Sequence, residues 1–221
     1  MIRPFGEAAL LVELGGTEPV HALAEAIRQA PPEGVIESVP GIDALLVEFD
    51  PLKVDAGTVS RELERVLTSE AERGRAGGRL RSIPVLYGGQ WGPDLEEVAS
   101  LTGLTADEVV RRHRGSVLMV ELVGFAPGFA YMGPLPPELH VPRLAEPRSR
   151  TPAGSVAVAR RWTGIYPTEL PGGWRVIGRT PITLFDPHRD PPAYLAPGDT
   201  VVIEEISSNE WDTRSGVPSD W

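Results

Sequence analysis

Several kinds of active site are excluded by what the 221-residue sequence lacks. It contains no cysteine, which rules out disulfides, thiol catalysis and zinc–thiolate centres. Its single lysine, Lys53, does not follow a glycine-rich turn, so there is no P-loop for a nucleotide. There is no Gly-x-Ser-x-Gly elbow, and the histidines have no metal-ligand spacing. These absences argue against a self-contained serine hydrolase or metalloenzyme.

Long apolar segments are also missing. No run of about 18 apolar residues occurs, so the sequence predicts no membrane span, and residues 1–7 lack the apolar centre of a secretory signal. Hydrophobic residues make up 41% and charged residues 24%, which is typical of a soluble globular protein. The net charge of -10 argues against non-specific binding of nucleic acid, because phosphate contacts need a cationic face. We therefore expect a cytoplasmic protein.

The first third of the sequence has the pattern of a small α/β domain. Apolar residues alternate in the strand-like runs and recur every three or four residues in the helix-like runs. The predicted elements are, in order, a strand at Ala8–Leu14, a helix with the stripe Val20, Leu23, Ala24 and Ile27, strands at Val35–Val39 and Ala44–Phe49, and a helix with the stripe Val59, Leu63, Val66 and Leu67. This β-α-β-β-α order is most of a ferredoxin-like split βαβ fold.

A glycine- and arginine-rich stretch at residues 72–79 predicts a linker between two domains, because it has no apolar pattern. We place an N-terminal α/β domain at 1–78, a second domain at 79–208 and a loosely held polar tail at 209–221. In the second domain, capping boxes at Asp94 and Thr105 predict the starts of two helices. The bounded strands predicted there are Ile83–Tyr87, Val117–Val123, Arg175–Ile177, Thr183–Phe185 and Val201–Ile206.

The segment from Val123 to Pro187 alternates glycine and proline corners with short β-prone runs, a pattern typical of strands joined by tight turns. Between Arg143 and Arg179 it holds seven arginines against two glutamates, a local excess of five positive charges in an acidic chain. Guanidinium groups pair bidentately with carboxylate or phosphate. This basic segment predicts an anion site or a docking face for an acidic partner, and a solvated surface is the competing interpretation.

Arginines beside the glycine and proline corners are the predicted anion-binding groups, with hydroxyl and aromatic side chains near them. The candidate substrate- or anion-binding residues are Arg148, Arg150, Ser155, Thr163, Tyr166 and Arg179. The candidate pocket or interface residues are Phe125, Pro127, Gly128, Phe129, Tyr131 and Trp174. His113 lies on the inward stripe of its helix, where it either orders the helix end or transfers a proton. The sequence predicts no other catalytic residue and no metal site.

At these motifs the chain resembles the KipI/PxpB family, also called allophanate hydrolase subunit 1. The matching motifs are Gly124–Tyr131, Pro147–Ser155, Thr163–Pro167, Pro171–Trp174 and Gly178–Thr180, together with Gly6–Val12, Val39–Gly41, Ile83–Gly89 and Asp94–Leu95. The resemblance covers nearly the whole chain, to about Ile206. It implies a small N-terminal α/β domain followed by a cyclophilin-like β-barrel, a name that concerns the fold and not an isomerase activity.

The resemblance also implies a function. It suggests one component of the ATP-dependent 5-oxoprolinase, a cyclic-amide hydrolase that opens 5-oxo-L-proline to L-glutamate. The implied partners are a PxpC (KipA)-like subunit and a PxpA (LamB/YcsF)-like subunit. ATP would be bound by the complex, not necessarily by this chain. Because the sequence has no identifiable catalytic set, we expect the chain alone to be inactive.

Two other functions stay open beside this one. The first is a KipI-type inhibitor of a sensor histidine kinase, which needs no catalysis. The second is a component of an allophanate or urea amidohydrolase system, after the older family label. Neighbouring genes distinguish the three: PxpA-like and PxpC-like genes favour 5-oxoprolinase, a sporulation kinase in the host is required for the inhibitor, and a biotin-carboxylase or amidase gene favours the urea system.

Overall fold

The chain forms two compact units, Met1–Gly77 and Gly78–Trp221, in a computed structural model that describes residues 1–73 and 78–221. Each unit has an apolar core of its own. The centre of the predicted linker, residues 74–77, lies outside the described residues. The predicted fold class, a small α/β domain followed by a β-barrel, is confirmed. No helix in the described part of the chain is long and apolar enough to cross a membrane.

Unit 1 is a four-stranded antiparallel sheet with two helices. Its elements are β1 (Ile2–Pro4), β2 (Ala9–Glu13), α1 (Thr17–Gln29), β3 (Val35–Pro40), β4 (Ala44–Phe49) and α2 (Ala56–Arg73). The strand order β1-β2-β4-β3 contains the predicted split βαβ arrangement. Strand β1 was not predicted, because three residues are too few to show a period; pairing with β2 makes it a strand.

The two helices of unit 1 bury the apolar stripes that the sequence predicts. Val20, Leu23 and Ile27 of α1 are buried, and Val59 and Leu63 of α2 join them in the same core. Residues three or four positions apart lie on one face of a helix, so each stripe faces the sheet. The core of this unit therefore follows directly from the periodicity of the sequence.

Unit 2 is a closed seven-stranded barrel with two α-helices and a separate two-stranded sheet. Its elements are β5 (Leu80–Tyr87), α3 (Leu95–Thr102), α4 (Ala106–Arg114), β6 (Leu118–Val123), β7 (Ala130–Gly133), β8 (Arg148–Thr151), β9 (Ser155–Ala159), β10 (Trp162–Ile165), β11 (Leu170–Gly172), β12 (Arg175–Arg179) and β13 (Thr200–Glu205), with short 3-10 helices at Pro137–Leu139 and Asp212–Arg214. The barrel order is β10-β7-β6-β13-β5-β12-β9, and β9 pairs with β10 to close it. Strands β5 and β13 are parallel, and the other barrel pairs are antiparallel.

Strand β9 shows why the barrel has two apolar cores. All five of its residues are buried. Val156 and Val158 belong to the main core, whereas Ala157 and Ala159 belong to a smaller aromatic core. Alternate side chains of a strand point to opposite faces of the sheet, so both faces of β9 are covered.

One predicted strand is wrong. Residues Thr183–Phe185 form no strand; isolated bridges join Ile182 to Gly216 and Phe185 to Ala193. Prolines at 181, 187, 191 and 192 flank this segment and supply no backbone donor, which leaves too few amides for a continuous ladder.

The C-terminal tail is not loosely held in the way the sequence suggests. Trp211 stacks on Trp91 with ring centroids 4.3 Å apart. Asp220 accepts a hydrogen bond from Arg81 Nη1 at 3.0 Å, and Trp221 Nε1 donates to the Pro191 carbonyl oxygen at 2.9 Å. A few aromatic and acidic side chains therefore attach a segment whose average polarity indicates a free tail.

The two predicted helix caps have different outcomes. Thr105 Oγ1 accepts a hydrogen bond from the Glu108 amide at 3.2 Å, as the capping pattern predicts. Asp94 stands at the start of α3 but makes no side-chain cap. Its carboxylate instead accepts hydrogen bonds from Arg148 and from the Val176 amide. A long-range ion pair has replaced the local cap that the sequence predicts.

Candidate functional site

Most arginines of the basic segment are already neutralised by carboxylates. Four of the seven form ion pairs: Arg148 with Asp94 at 2.5 Å, Arg150 with Glu169 at 3.5 Å, Arg161 with Glu121 at 2.5 Å and Arg175 with Glu97 at 2.9 Å. Within the described residues, Arg143, Arg160 and Arg179 form no ion pair. The first two are exposed, and Arg179 is half-buried. Arg179 is thus the uncompensated arginine that the fold partly encloses.

The side chain of Arg179 is held in place by neutral contacts. Its Nε donates to the carbonyl oxygen of Ala153 at 2.7 Å, and its guanidinium lies 5.7 Å from the centre of the Trp91 ring. Strand pairing places Arg179 opposite Ser155 on β9 and Leu86 on β5. The described residues supply no partner for its two terminal nitrogens. A guanidinium that is oriented and still unpaired is prepared for a bidentate anion.

Sequence reasoning missed a stacked pair of tryptophans, of which Trp91 lies beside Arg179. Trp91 follows a turn in which both Gly88 and Gly89 have positive φ, at 68° and 53°. Trp211 stacks on it from the C-terminal segment, with an angle of 29° between the rings. A tryptophan directly after paired glycines in a loop was the available signal for Trp91. Trp211 comes from a distant part of the chain, so no local pattern could have paired it with Trp91.

The other two predicted anion-binding arginines differ from Arg179. Arg148 is bound to buried Asp94, whose second oxygen accepts the Val176 amide at 2.7 Å. Arg150 is 80% exposed and pairs with the exposed Glu169. Arg148 therefore ties strand β8 to the start of α3, and Arg150 lies on the surface.

The predicted hydroxyl residues are enclosed by the barrel and do not line an open pocket. Ser155, Thr163 and Tyr166 are all buried. Thr163 Oγ1 donates to the Ala157 carbonyl oxygen at 3.1 Å, so its hydroxyl is already engaged. Burial raises the pKa of the Tyr166 phenol. These three side chains are therefore enclosed by the fold, although Ser155 lies opposite Arg179 in the pairing of β9 with β12.

His113 is the centre of a buried hydrogen-bond chain. Because Thr163 donates to Ala157, it accepts from His113 Nε2 at 2.9 Å, and Tyr87 then donates its hydroxyl to Nδ1 at 2.7 Å. Burial lowers the pKa of His113 to about 4. The imidazole is fully buried and neutral at pH 7, and both its nitrogens have partners, which supports an ordering role for this histidine rather than proton transfer.

An aromatic cluster surrounds Phe129 on the face of β9 opposite the main core. Its ring packs edge-to-face on Phe125, Tyr131, Tyr166 and Trp174, with centroids 5.1–5.7 Å apart. Phe129 and Trp174 are buried, so neither of these candidate pocket or interface residues is exposed to a partner. Aromatic edge-to-face pairs stabilise such a core beyond their buried area.

The exposed part of the aromatic loop is Phe125. It is 60% exposed and has a φ of 74°, a left-handed conformation that a bulky residue rarely adopts. Gly128, also at positive φ, packs against Phe185, where an added Cβ would lie 2.7 Å from the Phe185 Cβ. Pro127 is exposed on the same loop. The loop is therefore anchored at Gly128 and presents Phe125 outwards.

Sequence reasoning also missed a buried carboxylate. Glu121 lies at a bulge in β6 and binds Arg161 Nη2 at 2.5 Å and Trp162 Nε1 at 2.7 Å. Arg161 also borders a groove of about 470 Å³ between Val117 and Pro134. The signal was one acidic residue inside the apolar run Leu118–Val123. Across the described residues, no three His, Asp or Glu side chains are grouped to hold a metal ion.

Comparison with known proteins then identifies the family. The family described as carboxyltransferase domain, subdomain C and D, matches residues 1–195. Proteins named as the B subunit of 5-oxoprolinase match at 37% identity in Bacillus subtilis (95% of this chain, 94% of the relative), 42% in Escherichia coli O157:H7 (89% and 91%) and 38% in Haemophilus influenzae (93% and 98%). This chain belongs to the PxpB family.

Several solved structures share the fold of this chain. TTHA0988 is 36% identical with a TM-score of 0.80, and the match covers 94% of this chain but only 41% of TTHA0988. PH0987 from Pyrococcus horikoshii is 41% identical with a TM-score of 0.59, over 96% of this chain and all of PH0987. The Kluyveromyces lactis urea amidolyase has a TM-score of 0.72 at 20% identity, over 96% of this chain and 15% of that one, and shares the fold.

Proposed function

We propose that this chain is the PxpB component of an ATP-dependent 5-oxoprolinase, a hydrolase that opens 5-oxo-L-proline to L-glutamate. The observation that carries this proposal is the match to relatives named for that enzyme, which extends over 89–95% of this chain and 91–98% of theirs. A match of this length includes most of both units of the fold, so the likeness is not confined to one shared domain.

The chain acts as a non-autonomous subunit, with a PxpC (KipA)-like and a PxpA (LamB/YcsF)-like protein as partners. Two observations support this arrangement. The polar groups of His113, Thr163 and Asp94 are all engaged within the fold. In addition, TTHA0988 carries the equivalent of this chain in 41% of its length, so there the same fold is joined to further polypeptide.

The basic segment contributes anion recognition to a shared site in this proposal. A lactam is a poor electrophile towards water, and phosphorylation of its oxygen by ATP would activate it. The substrate carries a carboxylate and ATP carries phosphates, so an arginine fork fits either group. This chain has no P-loop, and ATP is therefore assigned to the complex. We place the complex in the cytoplasm, where ATP is available.

Reconstitution tests the proposal. The three subunits together should form glutamate from 5-oxoproline in the presence of ATP, and each omission should abolish the reaction. Full turnover without this chain would contradict the proposal, and full turnover by this chain alone would contradict its non-autonomous role.

The two alternative functions make different predictions in the same experiment. A component of a urea or allophanate system would turn over allophanate or urea with its partners, and the likeness to urea amidolyase at 20% identity carries the fold alone. A KipI-type inhibitor would suppress autophosphorylation of a sensor histidine kinase without any other protein of the complex. Neither alternative is favoured by a specific contact in this structure.

A further inference from the structure

We propose that Arg179, Trp91 and Trp211 form a binding site for the carboxylate of a small cyclic acid. Where that acid is taken to be 5-oxoproline, the inference rests on the proposed function and names the group on this chain that holds the substrate. The site itself is defined by three side chains from β12, the loop after β5 and the C-terminal segment.

Ion pairing and exposure distinguish Arg179 from the other six arginines of the basic segment. Four are paired with carboxylates, and an anion there would have to displace an existing partner. Arg143 and Arg160 are exposed, and a mobile exposed arginine loses more side-chain entropy on binding. Arg179 alone combines partial burial, a fixed Nε and terminal nitrogens without a partner in the described part of the chain.

Backbone geometry adds donors near the same place. Gly88 donates its amide to the Ile177 carbonyl oxygen at 3.1 Å, which ties the turn to the strand that carries Arg179. The next two residues, Gly89 and Gln90, are exposed, and their amides have no partner among the described residues. A Cβ on Gly89 would meet nothing within 4 Å, so the space beside this turn is open. Consecutive amides in a left-handed turn are a recurrent means of binding anions.

The two tryptophans favour binding of a cyclic carboxylic acid over binding of inorganic phosphate. Trp91 and Trp211 are both half-buried, and their stack lies beside the guanidinium. An indole face can pack against the ring of a small cyclic acid, whereas an inorganic phosphate has no ring to pack there. The carboxylate would accept two hydrogen bonds from Arg179 while the ring of the acid rests on an indole. Trp211, from the C-terminal segment, then contributes to specificity by contacting the ring of the bound acid.

Direct binding to the full chain, and to the reconstituted complex, tests this assignment without relying on turnover. Tryptophan fluorescence and calorimetry would follow titrations with 5-oxo-L-proline, with 2-pyrrolidinone, which lacks the carboxylate, and with inorganic phosphate. We expect saturable binding of 5-oxoproline and at least tenfold weaker binding of the other two. Saturable binding of phosphate in preference to 5-oxoproline would overturn the carboxylate assignment. Absence of 5-oxoproline binding to both chain and complex would overturn the site.

Matched variants separate this site from the rest of the surface. Arg179→Gln should weaken 5-oxoproline binding ten- to a hundredfold, and Arg179→Lys should recover part of the loss, because an ammonium cannot reproduce the fork. Trp211→Ala should weaken 5-oxoproline more than a small acyclic carboxylate such as acetate. The control is Arg111→Gln, which should bind like the wild type because Arg111 lies on α4, outside the basic segment, with its side chain 64% exposed. Unchanged binding by folded Arg179→Gln would overturn the inference.

The outcomes also distinguish this inference from the proposed function. If the wild-type complex turns over 5-oxoproline and the Arg179→Gln complex does so with an unchanged KM, the function stands and the site is wrong. If the chain binds 5-oxoproline through Arg179 but no combination of subunits forms glutamate, the site stands and the function is wrong.

Discussion

Asp94 accepts a hydrogen bond from Arg148 Nη2 on one carboxylate oxygen, at 2.5 Å, and one from the backbone amide of Val176 on the other, at 2.7 Å. Asp94 is buried, so both donors lose their partner if the carboxylate is removed. This pair joins the start of α3 to strands β8 and β12, which carry the basic segment.

Removing the Asp94 carboxylate should destabilise the barrel. We expect Asp94→Ala to lower the free energy of unfolding by about 3–5 kcal/mol, because it leaves a guanidinium and a buried amide unpaired. Urea unfolding followed by circular dichroism measures the change. The control is Glu169→Ala, which removes the exposed partner of Arg150 and should cost at most about 1 kcal/mol. Equal losses in the two variants would show that the Asp94 contacts contribute no more than a surface ion pair.

His113 should make stability depend on pH. Its pKa is lowered from 6.5 to about 4 in the folded state, so the unfolded state binds the proton more tightly. The contribution of neutral His113 to the free energy of unfolding is therefore fully present above pH 6.5. It is lost as the pH falls towards 4, and the total loss is about 3 kcal/mol. Urea unfolding at pH 7.5, 6, 5 and 4 follows this loss.

Two variants isolate the histidine from the carboxylates that also titrate in this range. His113→Gln should be less stable at pH 7.5 but should lose less stability than the wild type between pH 6.5 and 4. Exposed His188 is the matched control, and His188→Gln should keep the wild-type slope. A His113→Gln slope identical to that of the wild type would mean that His113 has the same pKa in the folded and unfolded states.

Phe129 should be essential for folding and not for assembly alone. Its ring is 2% exposed and contacts four other aromatic rings. We expect Phe129→Ala to lower the free energy of unfolding by about 3–5 kcal/mol, because it leaves a cavity in a packed core. Phe129→Leu should cost less, since it refills most of the volume. A fully stable Phe129→Ala variant would contradict the buried position of this ring.

Phe125 should matter for assembly and not for folding. It is 60% exposed and held at a φ of 74°, so it is the ring that a partner protein can cover. Phe125→Asn suits the left-handed conformation and should keep stability within about 1 kcal/mol while weakening binding to the PxpC-like protein at least tenfold. Surface plasmon resonance measures the affinity. Leu52→Asn, at an even more exposed apolar side chain in unit 1, should bind like the wild type. Equal affinities for Phe125→Asn and Leu52→Asn would remove Phe125 from the interface.

Limited trypsin digestion should first cut between residues 72 and 79. The sequence there offers Arg73, Arg75 and Arg79 without any apolar pattern, and each flanking unit has its own core. The fragment from about Arg79 should keep a cooperative unfolding transition, as measured by circular dichroism. Uniform cleavage along the chain, or loss of structure in that fragment, would contradict two independently folding domains.

Features that depend on neighbours along the chain can be predicted from the sequence. The helical stripes of α1 and α2 and the Thr105 cap follow from spacings of three or four residues. The glycine- and proline-rich segment marks the strands and turns of the barrel, and its motifs carry the family resemblance. Such features are readable because the interacting groups lie within one turn of helix or one hairpin of each other.

Which of these groups are free to bind a ligand depends on contacts between distant segments. Asp94 could cap its helix or pair with Arg148, and the second choice depends on strand β8, more than fifty residues away. The same holds for Phe129, which looks like an exposed loop aromatic until Tyr166 and Trp174 enclose it. Arg179 resembles its six neighbours in sequence. Folding of unit 2 gives four of them carboxylate partners and leaves Arg179 beside Trp91, on which Trp211 stacks, because burial and pairing are set only when the chain has folded.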